Sequence, residues 1–313
     1  MRVLFWGTPE FALPALDAVL ASSHELVGLV TQPDRPRGRS GRAAPSPTKR
    51  RVLEAAPSVP ILQPEKPRGA AFRAEVTALA PDVSVVAAYG NILPRSVLDL
   101  PRHGSVNVHA SLLPRHRGAS PVAAAILAGD PVTGVSLMRM EPGLDTGPVL
   151  LRREAAILPG ETCGELEARL AREGAALLLD ALDALERGDL HPRPQDDSLA
   201  TYAPRITPED AHVDWRTPAE AVERHLRAHD PRPGAFTWWG GRRLKLFRGR
   251  LRPEIGTRER NSGEVLADPS GGLVVGARPG AIEVTEVQLE GGPRMDARSF
   301  LRGRPIPPGS RFW

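Results

Sequence analysis

The fold is first indicated by the amino-terminal stretch Arg2-Val-Leu-Phe-Trp-Gly-Thr-Pro-Glu-Phe-Ala-Leu-Pro-Ala-Leu-Asp-Ala-Val-Leu20. It opens with a short apolar run typical of a buried strand, and apolar residues then recur at helical spacing. The same alternation continues through the first half, with strands expected at 25–31, 59–62, 82–88, 105–109, 133–140 and 149–155, and helices at 70–79, 121–128 and 161–186. This alternation predicts an α/β fold with a Rossmann-like, mostly parallel sheet.

The second half of the chain shows a different pattern. Residues 189–208 are proline-rich and polar, as expected of a linker, and a helix is expected at 218–228. Short strands separated by glycine-rich turns are then expected at 235–239, 244–250, 263–266, 273–275 and 282–289, a spacing typical of a small OB-like β-barrel. We therefore predict a first domain over 1–188, a linker over 189–208 and a second domain over 209–313.

The composition excludes several broad classes of protein. Of 313 residues, 41% are hydrophobic and 25% are charged, which is ordinary for a globular chain. No window approaches the ~20 apolar residues of a membrane span, and the amino terminus turns too early for a signal peptide. The single cysteine, Cys163, excludes an internal disulfide and a cysteine-based zinc site. We expect a cytoplasmic protein.

Common enzyme motifs are absent from the sequence. The turn Gly7-Thr-Pro-Glu-Phe11 has one glycine where a dinucleotide-binding turn uses three. A Walker phosphate loop, a G-x-S-x-G elbow and an H-E-x-x-H helix are also missing. Nicotinamide, ATP, serine-hydrolase and zinc-hydrolase chemistries are therefore disfavoured.

Polar residues within the strand expected at 105–109 point to a ligand site. Side chains alternate along a strand, so Ser105, Asn107 and His109 share one face while two valines occupy the other. The carboxyl ends of parallel strands are where ligands bind. The alternative is an edge strand whose polar face meets water.

A carboxylate is expected near these groups. The segment Pro142-Gly-Leu-Asp-Thr-Gly147 follows the strand at 133–140 and carries Asp145 between glycines. If the strand assignments hold, this aspartate lies at the same end of the sheet as Asn107 and His109. The alternative is that it caps a turn.

Asparagine, histidine and aspartate together suit acyl transfer to an amine. An asparagine amide can stabilise an oxyanion, and a histidine can donate to the same oxygen or carry a proton. An aspartate can orient the histidine and help to receive the proton. This set needs no serine or cysteine nucleophile, and Ser111 is expected to form local hydrogen bonds instead.

Three motifs resemble the signature of the 10-formyltetrahydrofolate-dependent formyltransferases: Asn107-Val-His-Ala-Ser-Leu-Leu-Pro114, Arg117-Gly-Ala-Ser-Pro121 and Gly143-Leu-Asp-Thr-Gly147. Further matches at Thr31-Gln-Pro-Asp-Arg-Pro36 and Tyr202-Ala-Pro-Arg-Ile206 help to extend the resemblance over almost the whole chain. It implies transfer of a formyl group from the cosubstrate 10-formyltetrahydrofolate to the α-amino group of methionyl initiator tRNA, supplying formylmethionyl-tRNA for translation initiation. We expect a monomer that uses no metal.

The resemblance also implies roles for single residues. The catalytic set would be Asn107, His109 and Asp145. The folate pocket would be formed by Ser111, Leu112, Leu113, Pro114, Val86, Tyr89, Gly90 and Gly143.

Two basic clusters predict contact with a polyanion, because residues 35–51 and 242–252 contain no acidic side chain. In the family, the loop carrying Arg39 lies beside the tRNA acceptor stem. We expect tRNA contacts at Arg35, Arg37, Arg39, Arg42, Lys49, Arg242, Arg243, Lys245 and Arg248. The alternative for the first cluster is a solvated loop.

Two other functions stay open at this point. A formyltransferase acting on glycinamide ribonucleotide or an amino-sugar nucleotide would share the catalytic set, although the small purine enzyme needs neither the basic loop nor a second domain. A non-catalytic RNA-binding protein on an enzyme scaffold is the other alternative, and the intact catalytic set argues against it.

Overall fold

The computed structural model describes residues 1–36, 43–256 and 261–313, which form two compact units. The first unit consists of Met1–Gly118, Val132–Ala156 and Glu167–Ala203. The second consists of Ala119–Pro131, Ile157–Leu166 and Pro204–Trp313. The linear division of the chain at residues 189–208 stays a prediction.

The first unit is built around a mostly parallel sheet. The strands of this unit are β1 (Arg2–Gly7), β2 (Glu25–Val30), β3 (Arg35–Pro36), β4 (Ala43–Ala44), β5 (Ile61–Leu62), β6 (Val83–Ala87), β7 (Ser105–His109), β8 (Arg117–Gly118), β9 (Val132–Arg139), β10 (Val149–Ala156) and β11 (Tyr202–Ala203). Seven of them form one sheet in the order β10-β9-β7-β6-β1-β2-β5. Every pair from β7 to β5 in this order is parallel, which confirms the predicted sheet.

Helices accompany the strands of both units, and those at 47–55, 95–98 and 297–303 were not expected from the sequence. The helices are α1 (Leu13–Ala21), α2 (Pro47–Ala55), α3 (Ala70–Ala78), α4 (Arg95–Leu98), α5 (Pro121–Ala128), α6 (Cys163–Arg187), α7 (Ala219–Ala228) and α8 (Ala297–Gly303). Within the described parts of the chain, none of the helices is both long and apolar enough to cross a membrane.

Strand β7 lies inside the sheet, because it pairs with β6 on one side and with β9 on the other. The edge-strand alternative for residues 105–109 is therefore wrong. Helix α6 covers one face of β7 closely: a Cβ added at Gly174 would lie 2.8 Å from Cγ1 of Val108. The opposite face carries Asn107 and His109.

The strand that precedes Asp145 runs in an unexpected direction. β9 is antiparallel to β7, with Arg139 opposite Val106 and Ser136 opposite His109. The chain therefore leaves β9 beside the beginning of β7 and not at its carboxyl end. Asp145 does lie near Asn107 and His109, as predicted, but it reaches them because its loop folds back towards β7 and not because its strand ends there.

Part of the predicted basic loop is helical, since residues 47–51 begin α2. The hydroxyl of Ser46 accepts a hydrogen bond from the backbone N–H of Lys49 at 3.1 Å, and Pro47 occupies the first turn. A serine cap followed by proline is a common helix start. Residues 47–51 of the first basic cluster therefore lie on a helix and not on a loop.

The second unit contains an antiparallel sheet. Its strands are β12 (Phe236–Trp239), β13 (Arg242–Leu251), β14 (Val265–Leu266), β15 (Leu273–Gly276), β16 (Ala281–Leu289) and β17 (Met295–Asp296). The order is β12-β13-β16-β15-β14, with β17 paired to β16. Trp215, Leu226, Leu246 and Ile282 belong to its buried core. A separate β domain is thereby confirmed, while its OB-like character stays a prediction.

Candidate active site

The site is centred on the two polar residues of β7. Asn107 pairs in register with Val86 of β6 and Met138 of β9, so it lies in the middle of the sheet. His109 ends the strand and is buried, whereas Asn107 is half-buried. The alternation predicted for this strand brings both side chains to one face.

The loop after β9 brings Asp145 to this face. One carboxylate oxygen, Oδ1, accepts a hydrogen bond from Nδ2 of Asn107 at 3.4 Å. The other, Oδ2, accepts from the backbone N–H of Gly118 at 2.8 Å and lies 3.7 Å from Nδ1 of His109. The three residues predicted as the catalytic set are therefore neighbours.

His109 is held by a backbone carbonyl and not by the carboxylate. Its Nε2 lies 3.1 Å from the carbonyl oxygen of His116, and since a carbonyl only accepts, Nε2 carries the proton and donates it. The 3.7 Å separation from Asp145 is longer than a hydrogen bond. In the neutral ring, Nδ1 is therefore a proton acceptor that faces the carboxylate.

Burial lowers the pKa of His109, and the nearby Asp145 carboxylate opposes this effect without cancelling it. The imidazole is therefore neutral at pH 7. A neutral ring with its proton on Nε2 can accept a proton at Nδ1, and the adjacent carboxylate would then stabilise the imidazolium.

The loop of residues 140–148 between β9 and β10, here called the aspartate loop, has an unusual backbone. Asp145 has a φ of 55°, in the left-handed region that non-glycine residues seldom occupy. A Cβ at Gly147 would collide with the backbone carbonyl of Arg139, so only glycine fits there. Strained residues of this kind persist where the surrounding structure fixes them, and they cluster at functional sites.

Two polar residues contribute to the site although no role was predicted for either of them. Gln195 Nε2 donates to the carbonyl oxygens of Asp145, at 2.8 Å, and of Gly147, at 2.6 Å. Arg117 is 2% exposed and donates to Oε1 of Gln195. The motif carrying Arg117 was recognised, but no sequence signal marked Gln195, which lies in the segment expected to be a linker.

The residues predicted for the folate pocket have varied surroundings. Ser111 is buried and its hydroxyl donates to the carbonyl of Arg115 at 2.6 Å, as expected for a local hydrogen bond. Leu113 packs in a small buried cluster with Met138 and Val149. Pro114 is buried, and Leu112 is half-buried.

The remaining predicted pocket residues lie on β6, on the segment that follows it and on the aspartate loop. Val86 and Tyr89 are buried, and the Tyr89 ring packs edge-on against Trp6 with centroids 5.3 Å apart. Burial raises the pKa of Tyr89 to about 12, so its hydroxyl stays protonated at pH 7. Gly90 and Gly143 are exposed.

The first basic cluster is only partly described. Arg35 is exposed on β3, whereas Arg37, Arg39 and Arg42 lie outside the described residues. Lys49 forms an ion pair with Asp34 at 2.6 Å and donates to Gln63 at 2.7 Å. Its charge is already compensated within the chain, which weakens the expectation of a phosphate contact there.

The cations of the second cluster have different kinds of partner. Arg248 forms an ion pair with Glu165, and Arg252 lies near Glu254 and Glu283. In contrast, the guanidinium of Arg243 stacks over the ring of Phe236, 4.3 Å from its centroid.

The other predicted cations of this cluster donate to backbone carbonyls. Lys245 donates to the carbonyl oxygen of Pro233 at 2.6 Å, and Arg242 to that of Glu290 at 2.7 Å. Arg243 and Lys245 line a cleft of about 240 Å³.

One group of metal-ligand type is present among the described residues. The ligand atoms of His24, Asp183 and Glu186 lie within 4.8 Å of one another, and both carboxylates are exposed. The group contains none of the residues predicted for catalysis or for folate binding.

Comparisons with known proteins show what the chain is similar to. A family model described as formyl transferase matches residues 1–182, and one described as formyl transferase, C-terminal domain, matches residues 205–305. A methionyl-tRNA formyltransferase from Ruegeria pomeroyi is 46% identical over 312 residues, covering 100% of this chain and 100% of the relative.

Solved structures share the fold. An N-formyltransferase from Helicobacter canadensis in complex with folinic acid and dTDP-3-aminofucose aligns with a TM-score of 0.68 and 14% identity, covering 91% of this chain and 98% of that one. HypX from Aquifex aeolicus in complex with tetrahydrofolic acid aligns with a TM-score of 0.65 and 21% identity over 96% of this chain. The present chain spans about half of the HypX chain, 47% of its length.

Proposed function

Because the chain belongs to the methionyl-tRNA formyltransferases of the formyl transferase family, we infer that it transfers the formyl group of 10-formyltetrahydrofolate to the α-amino group of methionyl initiator tRNA. The observation that carries this inference is the convergence of Asn107, His109 and Asp145 on one face of β7. A neutral hydrogen-bond donor, a proton acceptor and a carboxylate together suit acyl transfer to an amine.

The first step is attack by the neutral amine on the formyl carbon. A carbon–nitrogen bond forms, and the carbonyl electrons move to the formyl oxygen. Asn107 donates one N–H to Asp145 and can direct the other towards this oxygen. A donor placed where charge develops stabilises the transition state more than the ground state.

The amine must then lose a proton. Nδ1 of His109 is the acceptor in our proposal, because Nε2 already donates to the carbonyl of His116. The imidazolium that forms is stabilised by the carboxylate of Asp145, 3.7 Å away. When the intermediate collapses, the bond from the formyl carbon to the folate nitrogen breaks and the proton passes to that nitrogen.

The function is tested by supplying both substrates. Incubation with 10-formyltetrahydrofolate and methionyl initiator tRNA is expected to give formylmethionyl-tRNA, detected by mass analysis of the aminoacyl group. Glycinamide ribonucleotide and an amino-sugar nucleotide serve as competing acceptors. Formylation of either small acceptor, with none of the tRNA, would overturn the proposed acceptor.

For tRNA binding, we propose that the second unit contributes through Arg243. Replacing it with glutamine is expected to raise the KM for tRNA several-fold and leave kcat near its normal value. The slope of log affinity against log salt should become shallower by about 1, the change for one lost phosphate contact. Steady-state kinetics and binding at two or more salt concentrations provide the measurement.

The chain offers a matched control for this experiment in Arg252. Its charge is compensated by Glu254, by Glu283 at 3.5 Å and by Asp268 at 3.7 Å. Arg252→Gln should therefore leave the salt slope unchanged. Equal slopes in the wild type and in both variants would contradict the contact proposed for Arg243.

A further inference from the structure

The amide of Gln195 uses both of its ends at the candidate active site. Its nitrogen donates to two carbonyl oxygens of the aspartate loop, those of Asp145 and Gly147. Its oxygen accepts two hydrogen bonds from the guanidinium of Arg117, from Nε at 3.0 Å and from Nη2 at 2.8 Å. The side chain therefore connects a buried cation to the backbone of the loop.

Arg117 determines which way this amide faces. A guanidinium only donates, so of the two ends of the Gln195 amide only the oxygen can face Arg117, and the amide nitrogen therefore points at the loop. Arg117 itself is 2% exposed and forms an ion pair with Asp197 at 2.7 Å, which balances its buried charge. The reverse orientation of the amide would oppose like groups at both ends.

Asp145 is also held by β8, the strand that carries Arg117. Gly118, the residue after Arg117 on β8, donates its backbone N–H to Oδ2 of Asp145 at 2.8 Å. Asp145 is thus held at its backbone oxygen by Gln195 and at its carboxylate by Gly118 and Asn107. These bonds keep Asp145 at its left-handed φ of 55°, a strained conformation that the residue would otherwise leave.

We propose that Gln195 is a positioning residue, which holds the aspartate loop so that the carboxylate of Asp145 stays beside Asn107 and His109. This inference rests on the proposed function, since it assumes that Asp145 acts in formyl transfer. A misplacement of about 1 Å in a reacting group can cost about 100-fold in rate, so a loop held by two hydrogen bonds is a sensitive point.

Two substitutions separate the functions of the amide. Gln195→Glu keeps an oxygen that can accept from Arg117. It replaces the amide nitrogen with a second carboxylate oxygen, which repels the carbonyl oxygens of Asp145 and Gly147. Gln195→Met keeps the approximate size and removes every polar contact. Both variants are expected to lower kcat by about 10- to 100-fold, with smaller changes in the KM values for folate and tRNA.

The matched control is Gln63→Met. Gln63 has an equivalent set of contacts in the same unit: it donates to the carbonyl of Gln32 and to Asp34, and it accepts from Lys49. Its loss should leave kcat close to that of the wild type. A fall in kcat equal to that of Gln195→Met would show that any lost amide network slows the enzyme.

A second readout detects position without turnover. The carboxylate of Asp145 raises the pKa of His109 against the effect of burial, so displacing the carboxylate should lower that pKa. The imidazole of His109, followed by NMR as a function of pH, is expected to titrate at lower pH in Gln195→Met than in the wild type. A merely structural role would change the melting temperature and leave this titration unchanged.

The two readouts distinguish failure of this inference from failure of the proposed function. If folded Gln195 variants keep the normal kcat and the normal His109 titration, the positioning role is wrong. If the titration shifts while Asp145→Asn is fully active, the loop is positioned as inferred but Asp145 has no part in catalysis. Equal losses of kcat from Gln195→Met in the wild-type and Asp145→Asn backgrounds would also overturn the inference, because the two residues would then act independently.

Discussion

Replacing Asp145 with asparagine is expected to lower kcat roughly 1000-fold, with the KM for folate little changed. The substitution keeps the size of the side chain and one oxygen for the N–H of Gly118. It removes the charge that would stabilise the imidazolium of His109. Single-turnover formation of formylmethionyl-tRNA under saturating substrate measures the effect directly.

Asp99→Asn is the control for this change. Asp99 is an exposed aspartate of the same unit that pairs with Arg95, and the same loss of charge there should leave turnover unchanged. Turnover of Asp145→Asn within a few-fold of the wild type would contradict the proposed role of the carboxylate.

Asp145→Asn is also expected to change the pKa of His109. In the wild type, burial holds the pKa of His109 below its usual value of about 6.5, so the ring is neutral at pH 7 and gains a proton only on acidification. Asp145→Asn removes the charge that favours the protonated ring, and the pKa should fall further. A higher pKa of His109 in the variant would be incompatible with the geometry described above.

Replacing Asn107 with alanine is expected to lower kcat by about 100- to 1000-fold, the usual cost of one oxyanion donor. The loss should fall on kcat, with folate affinity nearly unchanged, because the amide is proposed to act on charge that develops only during the reaction. Rapid-quench kinetics and equilibrium folate binding separate the two effects.

A conservative variant adds a second test of Asn107. Asn107→Asp replaces the donor with a carboxylate next to Oδ1 of Asp145, which the amide nitrogen now approaches to 3.4 Å. Two carboxylates at this distance disfavour joint ionisation, so activity should fall at least as far as in the alanine variant. Near-normal turnover in either variant would show that the formyl oxygen is stabilised elsewhere.

Local patterns in the sequence determined the first unit in outline. Alternating apolar strands and amphipathic helices require a layered sheet, and six of its seven strands were expected close to their observed bounds. Strand periodicity alone placed Asn107 and His109 on one face, because side chains alternate whatever the surroundings. The recognised motifs then selected Asp145 as the third member of the set.

Other features depended on strand pairing, which local sequence does not encode. The direction of β9 relative to β7 is a property of how the two strands pair. Because the pair is antiparallel, β9 ends away from the carboxyl end of β7, and Asp145 depends on its loop to reach the site. The helix start at Ser46 and Pro47 is a local signal, but the basic residues that follow it favoured the interpretation of this segment as a loop.

Only the tertiary structure determined which charged side chains form ion pairs within the protein. Residues 242–252 contain no acid, yet the fold brings Glu165 to Arg248 and Glu283 to Arg252. Gln195 lies 50 residues from Asp145 along the chain and still holds its backbone. The sequence by itself determined which chemical groups the protein has and which share a strand face, because periodicity is local. Which groups meet, and therefore which are neutralised, positioned or left for a substrate, depends on contacts between distant segments that only the packed chain creates.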